Sequence, residues 1–193
     1  WITTEKKRLP LVFPMVSEVG LLKEAWAKAS NQIAKAVLID GEHVVFLCQG
    51  DVSLFSTGSY VLLHLKEHYQ ECPVQLVPGI TAISAAAAVG AWPLSLQQDQ
   101  LLVLPTPDES STLEKLLKDS SHSGRVLALL KLGDRWRWVR PLLEKMDLLE
   151  GSLFAQKVGW SDQEVLQASQ VAASSKPYFS LLLVRQSWPS VLL

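Results

Sequence analysis

The stretch LCQGDVSLFSTGSYVLLHL, Leu47 to Leu65, constrains this chain most, because an apolar β-favouring run passes through Gly50-Asp51 straight into a helical pattern. In an open α/β sheet a ligand is met just beyond the carboxyl ends of the strands, so Gln49, Gly50 and Asp51 stand where a small molecule would bind. Gly50 allows close backbone approach, and Asp51 sets a carboxylate beside it. A second unit follows in VQLVPGITAISAAAA, where a strand ending at Val77 turns through Pro78 and Gly79 into an alanine-rich helix. Either turn alone can simply end a strand. Two in succession predict a shared crevice without naming its ligand.

With 193 residues, 48% hydrophobic and 19% charged, the chain can bury a substantial core and is not disordered by composition. A net charge of -1 supplies no overall field for nucleic acid. Two cysteines, Cys48 and Cys72, make no disulfide framework, which predicts a reducing, cytoplasmic setting. The charge-free run from Cys72 to Gln98 exceeds the roughly 20 residues of a membrane span, but Pro73, Pro78, Gly79, Gly90 and Pro93 cut it into a buried strand and helix. No secretory signal pattern opens the chain. It begins at Trp1 rather than Met, which predicts a further N-terminal piece.

Leu22, Trp26, Ala29, Ile33 and Val37 mark one face of a helix ending near Gly41. HVVFLCQ reads as a strand buried on both faces, followed by a helix from about Leu54 to Tyr69 that Cys72-Pro73 terminates. Strand, helix and strand in this order predict a right-handed parallel crossover. After Pro93 the alternation restarts: strand LLVLPTP, a helix near Ser111–Lys118, strand RVLALLKLG, a Trp/Arg-rich helix over Asp134–Met146, SLFAQKV, a short helix opened by Ser161-Asp162, and YFSLLLV. The polar segment Gln97–Gln100 divides the chain into α/β halves, 1–98 and 99–193.

Three motifs compete with these turns. His64-x-x-Glu67-His68 has the spacing of one zinc peptidase group, but Glu67 and Lys66 fit an ordinary solvated helix face and no third ligand lies nearby in the chain, so no metal is expected. Asp134–Arg140 interleaves Trp136 with arginines, as a nucleic-acid surface would, yet a helix flank packed on its own domain explains it more simply. Ser56, Thr57 and Ser59 lack a histidine–acid pair and fit helix capping.

Taken in order, LPLVFPM, AWAKASNQIAKAVLIDGEHVVFLCQGDVSLFSTGSY, VQLVPGITAISAAAAVGAWPL, LLKLG and PYFSLLLV resemble the tetrapyrrole (corrin/porphyrin) methylase family, from about Leu9 to Val184. GDVSLFSTGSY and PYFSLLLV are most similar to its branch that methylates C-20 of precorrin-2 in cobalamin biosynthesis. The resemblance implies a two-domain α/β fold, each half a mixed or parallel sheet flanked by helices, with S-adenosylmethionine in the cleft between halves, in a homodimer. It implies a first cofactor loop of Gln49, Gly50, Asp51 and Leu54, a second at Thr81 and Ala82, and closure by Leu132, Gly133 and Ser180. Lys7, Arg8, Lys131 and Arg135, at segment ends beside these loops, are the candidates to meet substrate carboxylates. The chain departs from the family pattern in lacking an opening strand with a G-x-G-P-G-D loop, in Gln49 where an acidic or small residue is common, and in Asp134 where a basic residue is common.

The implied reaction moves a methyl group from the sulfonium of S-adenosylmethionine to a meso carbon of a tetrapyrrole, metal-free or cobalt-containing. Positioning two reactants can supply about 7–11 kcal/mol, so neither a dedicated nucleophile nor a metal is required. The competing expectation is a methylase-like chain that keeps only cofactor or subunit binding. RNA methylation is disfavoured by the neutral charge balance.

Overall fold

The computed structural model describes residues 3, 5–121 and 124–188. They form two compact units, Trp1–Ile80 and Thr81–Leu193. The second therefore begins ahead of the polar 97–100 segment, because the chain around residues 82–99 is fastened into it. Gly90 lies against the Leu153 side chain, and Arg185 reaches the carbonyls of Pro93 and Leu94.

In the first unit helix α1 (Val19–Ala34) continues through a π-helical turn, Lys35–Ile39, to Gly41 at φ +65°. Helix α2 (Thr57–His68) packs against α1. Their apolar faces supply Ala29, Ile33, Ala34, Val61 and Leu65 to a small core that also takes Cys72, with Phe13, Phe46 and Tyr69 around it. The Ser30 hydroxyl donates to the Trp26 carbonyl within α1 at 2.8 Å, and Trp26 stacks on Tyr60 at 4.1 Å.

The segments HVVFLCQ and VQLV, expected as strands, form none among the described residues, and no backbone ladder joins them there. Exposure alternates along the first: Val44 and Phe46 turn toward the core, whereas Val45 is 80% and Leu47 64% exposed. Both-face burial therefore does not hold. The chain beyond the two segments comes together at Gly50 and Gly79.

The second unit is built on a five-stranded mixed sheet of order β1-β2-β5-β3-β4. Its strands are β1 (Gln100–Pro105), β2 (Arg125–Leu130), β3 (Ser152–Gln156), β4 (Glu164–Gln167) and β5 (Ser180–Val184). Only β1 and β2 are parallel, with Leu102 opposite Leu127; β5 runs antiparallel between β2 and β3. Helices α3 (Ala82–Val89), α4 (Ser110–Ser121) and α5 (Trp136–Lys145) complete the unit. Strand alternation places Leu127, Leu129, Phe154, Leu182 and Val184 in one core with Leu113 and Leu117 of α4 and Trp136, Val139 and Leu143 of α5. Val126, Ala128, Leu153, Ala155, Leu181 and Leu183 are buried on the other face.

The helix expected after Ser161-Asp162 is instead the edge strand β4, which pairs antiparallel with β3, Val165 opposite Ala155. Its alternating exposure is that of a strand covered on one face, and the loop before it turns through Gly159 at φ +88°. The Trp/Arg segment becomes a 3₁₀ turn, Gly133–Arg135, leading into α5. Trp136 is fully buried and donates its indole N–H to the Ala172 carbonyl at 3.0 Å. Arg140 donates to the Val171 carbonyl, while Arg137 is exposed. This face is therefore core and flank.

Candidate functional site

The first candidate turn takes its shape from two residues with left-handed backbone, Gly50 at φ +77° and Phe55 at φ +52°. The segment then enters α2, where the Ser56 hydroxyl accepts from the Gly58 N–H at 3.1 Å. Ser59 Oγ donates to the Val52 carbonyl at 2.8 Å, tying helix to turn. Gln49 and Gly50 are exposed, and Asp51, Val52 and Leu54 half-buried. Among the described residues, nothing accepts from the backbone N–H groups of Gly50 or Val52.

The Asp51 carboxylate faces inward along the chain's own backbone. One oxygen accepts from the Ser53 N–H at 2.8 Å and from the Ser53 hydroxyl; the other accepts from the Gly79 N–H at 2.9 Å. The Ser53 hydroxyl, then the Gly79 and Ser53 amides, hold the carboxyl below its ordinary range. Gly79 lies so close to this turn that a Cβ there would strike the Gly50 carbonyl oxygen. The residues 49–53 and 78–80 thus make one double turn, 28 positions apart in sequence at the Asp51–Gly79 bond.

In the second unit Thr81 caps α3, its Oγ1 accepting from the Ser84 N–H at 3.1 Å; Thr81 is half-buried and Ala82 exposed. Beyond β2 the backbone passes through Lys131 at φ +57° and Gly133 at φ +51°. Buried Leu132 donates its N–H to the Ser180 carbonyl at 3.1 Å, and the Gly133 N–H donates to Ser180 Oγ at 3.1 Å. Ser180 Oγ in turn donates to the Pro177 carbonyl at 2.6 Å, so this hydroxyl is engaged within the fold. The structure brings Leu132, Gly133 and Ser180 together.

The four candidate cations sit in different circumstances. Lys7 pairs with Glu42 at 2.7 Å, and that hydrogen bond and charge raise its ammonium above the ordinary range. Arg8 is exposed. Arg135 grips Asp108 with two nitrogens and donates to the Lys131 carbonyl at 3.2 Å, while Lys131 is half-buried. Residues the sequence did not single out are Ser53, Thr106 and Asp108. Thr106 donates through both its N–H and hydroxyl to the Leu130 carbonyl, at 2.8 and 2.9 Å. Thr106 and Asp108 follow the end of β1, so the strand-end argument that selected Gly50 applies to them as well.

The His64 and His68 rings are stacked, 4.1 Å between centroids and 11° between planes. Nitrogen lone pairs lie in the ring plane, so parallel rings do not converge on one ion. Burial, then His68, hold His64 below its ordinary range. No group of three or more histidine, cysteine, aspartate or glutamate side chains able to hold a metal occurs among the described residues. Among them, too, no helix is long and apolar enough to cross a membrane.

Residues 2–171 match the family described as Tetrapyrrole (Corrin/Porphyrin) Methylases. The cobalamin biosynthesis protein CobIJ of Mycobacterium tuberculosis is 32% identical over 90% of this chain and 34% of its own length. The chain thus spans about a third of that relative. It spans 72% of the precorrin-2 C(20)-methyltransferase of Sinorhizobium, at 29% identity over 91% of this chain. The cobalt-precorrin-2 C(20)-methyltransferase of Salmonella typhimurium gives 30% identity with the same coverage, 91% and 72%. Among solved structures, the methyltransferase CobJ aligns with a TM-score of 0.59 over 84% of this chain and 70% of its own, at 22% identity. The uroporphyrin-III C-methyl transferase of Thermus thermophilus, complexed with S-adenyl homocysteine, gives a TM-score of 0.55 over 85% and 73%, at 20% identity. These two show the shared α/β fold. The sequence match over most of its length establishes that this chain belongs to the tetrapyrrole (corrin/porphyrin) methylase family.

Proposed function

We propose that this chain is an S-adenosylmethionine-dependent C-methyltransferase that methylates precorrin-2 at C-20 in cobalamin biosynthesis. Its curated relatives include enzymes named for that carbon on the metal-free and on the cobalt-containing macrocycle, and the metal-free macrocycle is the substrate proposed. The observation that carries the proposal is the exposed double turn of residues 49–53 and 78–80 in a chain of this family.

The donor set fits the cofactor. An amino-acid carboxylate and ribose hydroxyls are bound well by backbone N–H and C=O groups, and Gly50 presents its backbone without a side chain over it. Gln49, Gly50, Asp51 and Leu54, with Thr81, Ala82, Leu132, Gly133 and Ser180, are proposed as the cofactor-binding set. S-adenosylmethionine brings a methyl group on a positively charged sulfur, and the reduced macrocycle brings a nucleophilic carbon. The chain's part is to orient both and to exclude water. Lys7, Arg8, Lys131 and Arg135 are proposed to meet the macrocycle's carboxylates, Arg135 by exchanging its Asp108 partner for a substrate carboxylate. The resemblance supports a homodimer, and the two free cysteines fit a reducing, cytoplasmic setting.

Calorimetric titration with S-adenosylhomocysteine tests the cofactor assignment. The wild-type chain is expected to bind. A folded Gly50→Val variant must hold a β-branched residue at φ +77°, at a strain of about 1–2 kcal/mol, and should bind about tenfold or more weakly. Equal affinity in the two proteins would contradict the assignment.

A further inference from the structure

We propose that the Asp51 side chain is a positioning group and that Asp51 takes part in the cofactor loop through its backbone: its carboxylate fastens the 49–53 turn to the 78–80 turn and so holds the exposed backbone of Gly50 in binding geometry. The inference rests on the cofactor-binding reading of this double turn and assigns the role of one residue within it. Two independent features carry it. The first is how the carboxylate is used. Its oxygens together accept three hydrogen bonds, from the Ser53 N–H, the Ser53 hydroxyl and the Gly79 N–H. A carboxylate offers about four acceptor positions, so three of them are committed inside the protein before any ligand arrives.

The second is the backbone approach on the other side of the same junction. Gly79 carries no Cβ where one would strike the Gly50 carbonyl oxygen, with the Gly50 carbon at 3.1 Å and Asp51 Cα at 3.4 Å. A bare glycine and a bonded carboxylate thus clamp the two turns at adjacent points. Gly50 itself lies at φ +77°, with Ile80 O only 3.5 Å from where its own Cβ would be. The Gly50 carbonyl thus lies directly against the 78–80 turn, at the position a Gly79 Cβ would take. All three donors are neutral N–H or O–H groups that require an acceptor, and an asparagine side chain would offer one oxygen and one NH₂ where Asp51 offers two oxygens. Whichever way the amide is placed, a donor faces a donor on one side.

The test compares wild type with Asp51→Asn, Gly79→Ala and Ser53→Ala, using amide hydrogen exchange at Gly79, S-adenosylhomocysteine titration, and KM for S-adenosylmethionine against kcat. In Asp51→Asn the Gly79 amide should exchange faster, the dissociation constant should rise about tenfold, and KM should rise by a larger factor than kcat falls. Gly79→Ala forces the turns apart with the carboxylate intact and should weaken binding to a similar degree. Ser53→Ala keeps the Asp51–Gly79 bond, so its Gly79 amide should stay protected and its loss of affinity should be smaller. Wild-type affinity in a folded Asp51→Asn protein overturns the positioning role. So does a collapse of kcat at unchanged KM, which would place the carboxylate at the reacting atoms. Failure of the wild type itself to bind S-adenosylhomocysteine is a different result: it overturns the cofactor-binding reading and takes this assignment with it.

Discussion

Arg185 shows how one residue can hold a long stretch of chain. Its side chain is 2% exposed, lies 2.6 Å from Asp99, donates to the Pro93 and Leu94 carbonyls, and sits 5.5 and 4.5 Å from the Trp92 and Trp188 rings. Burial alone would push the Asp99 carboxyl up, but the Arg185 hydrogen bond and charge and the Leu96 amide bring it below the ordinary value of 3.8. A buried pair broken from one side leaves an uncompensated charge, so Arg185→Met should cost about 3–5 kcal/mol in denaturant unfolding. The folded-state pKa of Asp99 is the lower one. Its stabilisation is therefore complete above pH 3.8 and lost as pH falls from there through the folded value. Asp99→Asn should be less stable at neutral pH and should show a shallower acid decline. An acid decline as steep as the wild type's would show that the pair does not govern this region. None of this is visible in sequence, since the partners are 86 positions apart and no pattern links them.

At the scale of elements, the contact between α2 and the turn before it can be tested through Gly58. A Cβ there would lie 2.6 Å from Cys48 Sγ, 3.1 Å from Val52 Cγ2 and 3.2 Å from Phe46 Cε1. Alanine is favoured over glycine in a helix by roughly 0.5–1 kcal/mol, whereas overpacking costs about 1–3 kcal/mol. Gly58→Ala should therefore be destabilising on balance, and Gly58→Ala with Cys48→Ala should recover most of the loss. A single variant as stable as wild type would mean that α2 can move away from residues 46–52. The helices and the second-unit strands other than β4 were legible because each carries a clear period or a short apolar run between turns. YFSLLLV and RVLALLKLG became β5 and β2, and the Ser56 and Thr81 hydroxyls became helix caps. The missed edge strand β4 is only four residues long and follows Ser161-Asp162, a pair that also begins helices. Its identity came from pairing with β3, which local sequence does not encode. The turn at Gly50 was legible for the same reason as the strands, but Asp51's partner, the Gly79 amide, was not.

At the scale of the whole molecule, the two units draw their order from different sources. The second rests on a sheet with a core on one face and a further buried layer on the other, where Phe154, Leu127, Leu182 and Trp136 are all fully buried. The first rests on two packed helices and the joined turns, with Val45, Leu47, Val77 and Ile80 exposed. Family membership follows from the chain as a whole, and the chemistry proposed for it from that membership and the joined turns at Gly50 and Gly79. The most direct test of that chemistry is to incubate the protein with S-adenosylmethionine labelled in its methyl group and precorrin-2, in parallel with cobalt-precorrin-2, and locate the label in the product by NMR. The account predicts one labelled methyl group at C-20 of precorrin-2. Label at another position, transfer only to the cobalt form, or no transfer by a protein that binds S-adenosylhomocysteine would contradict it.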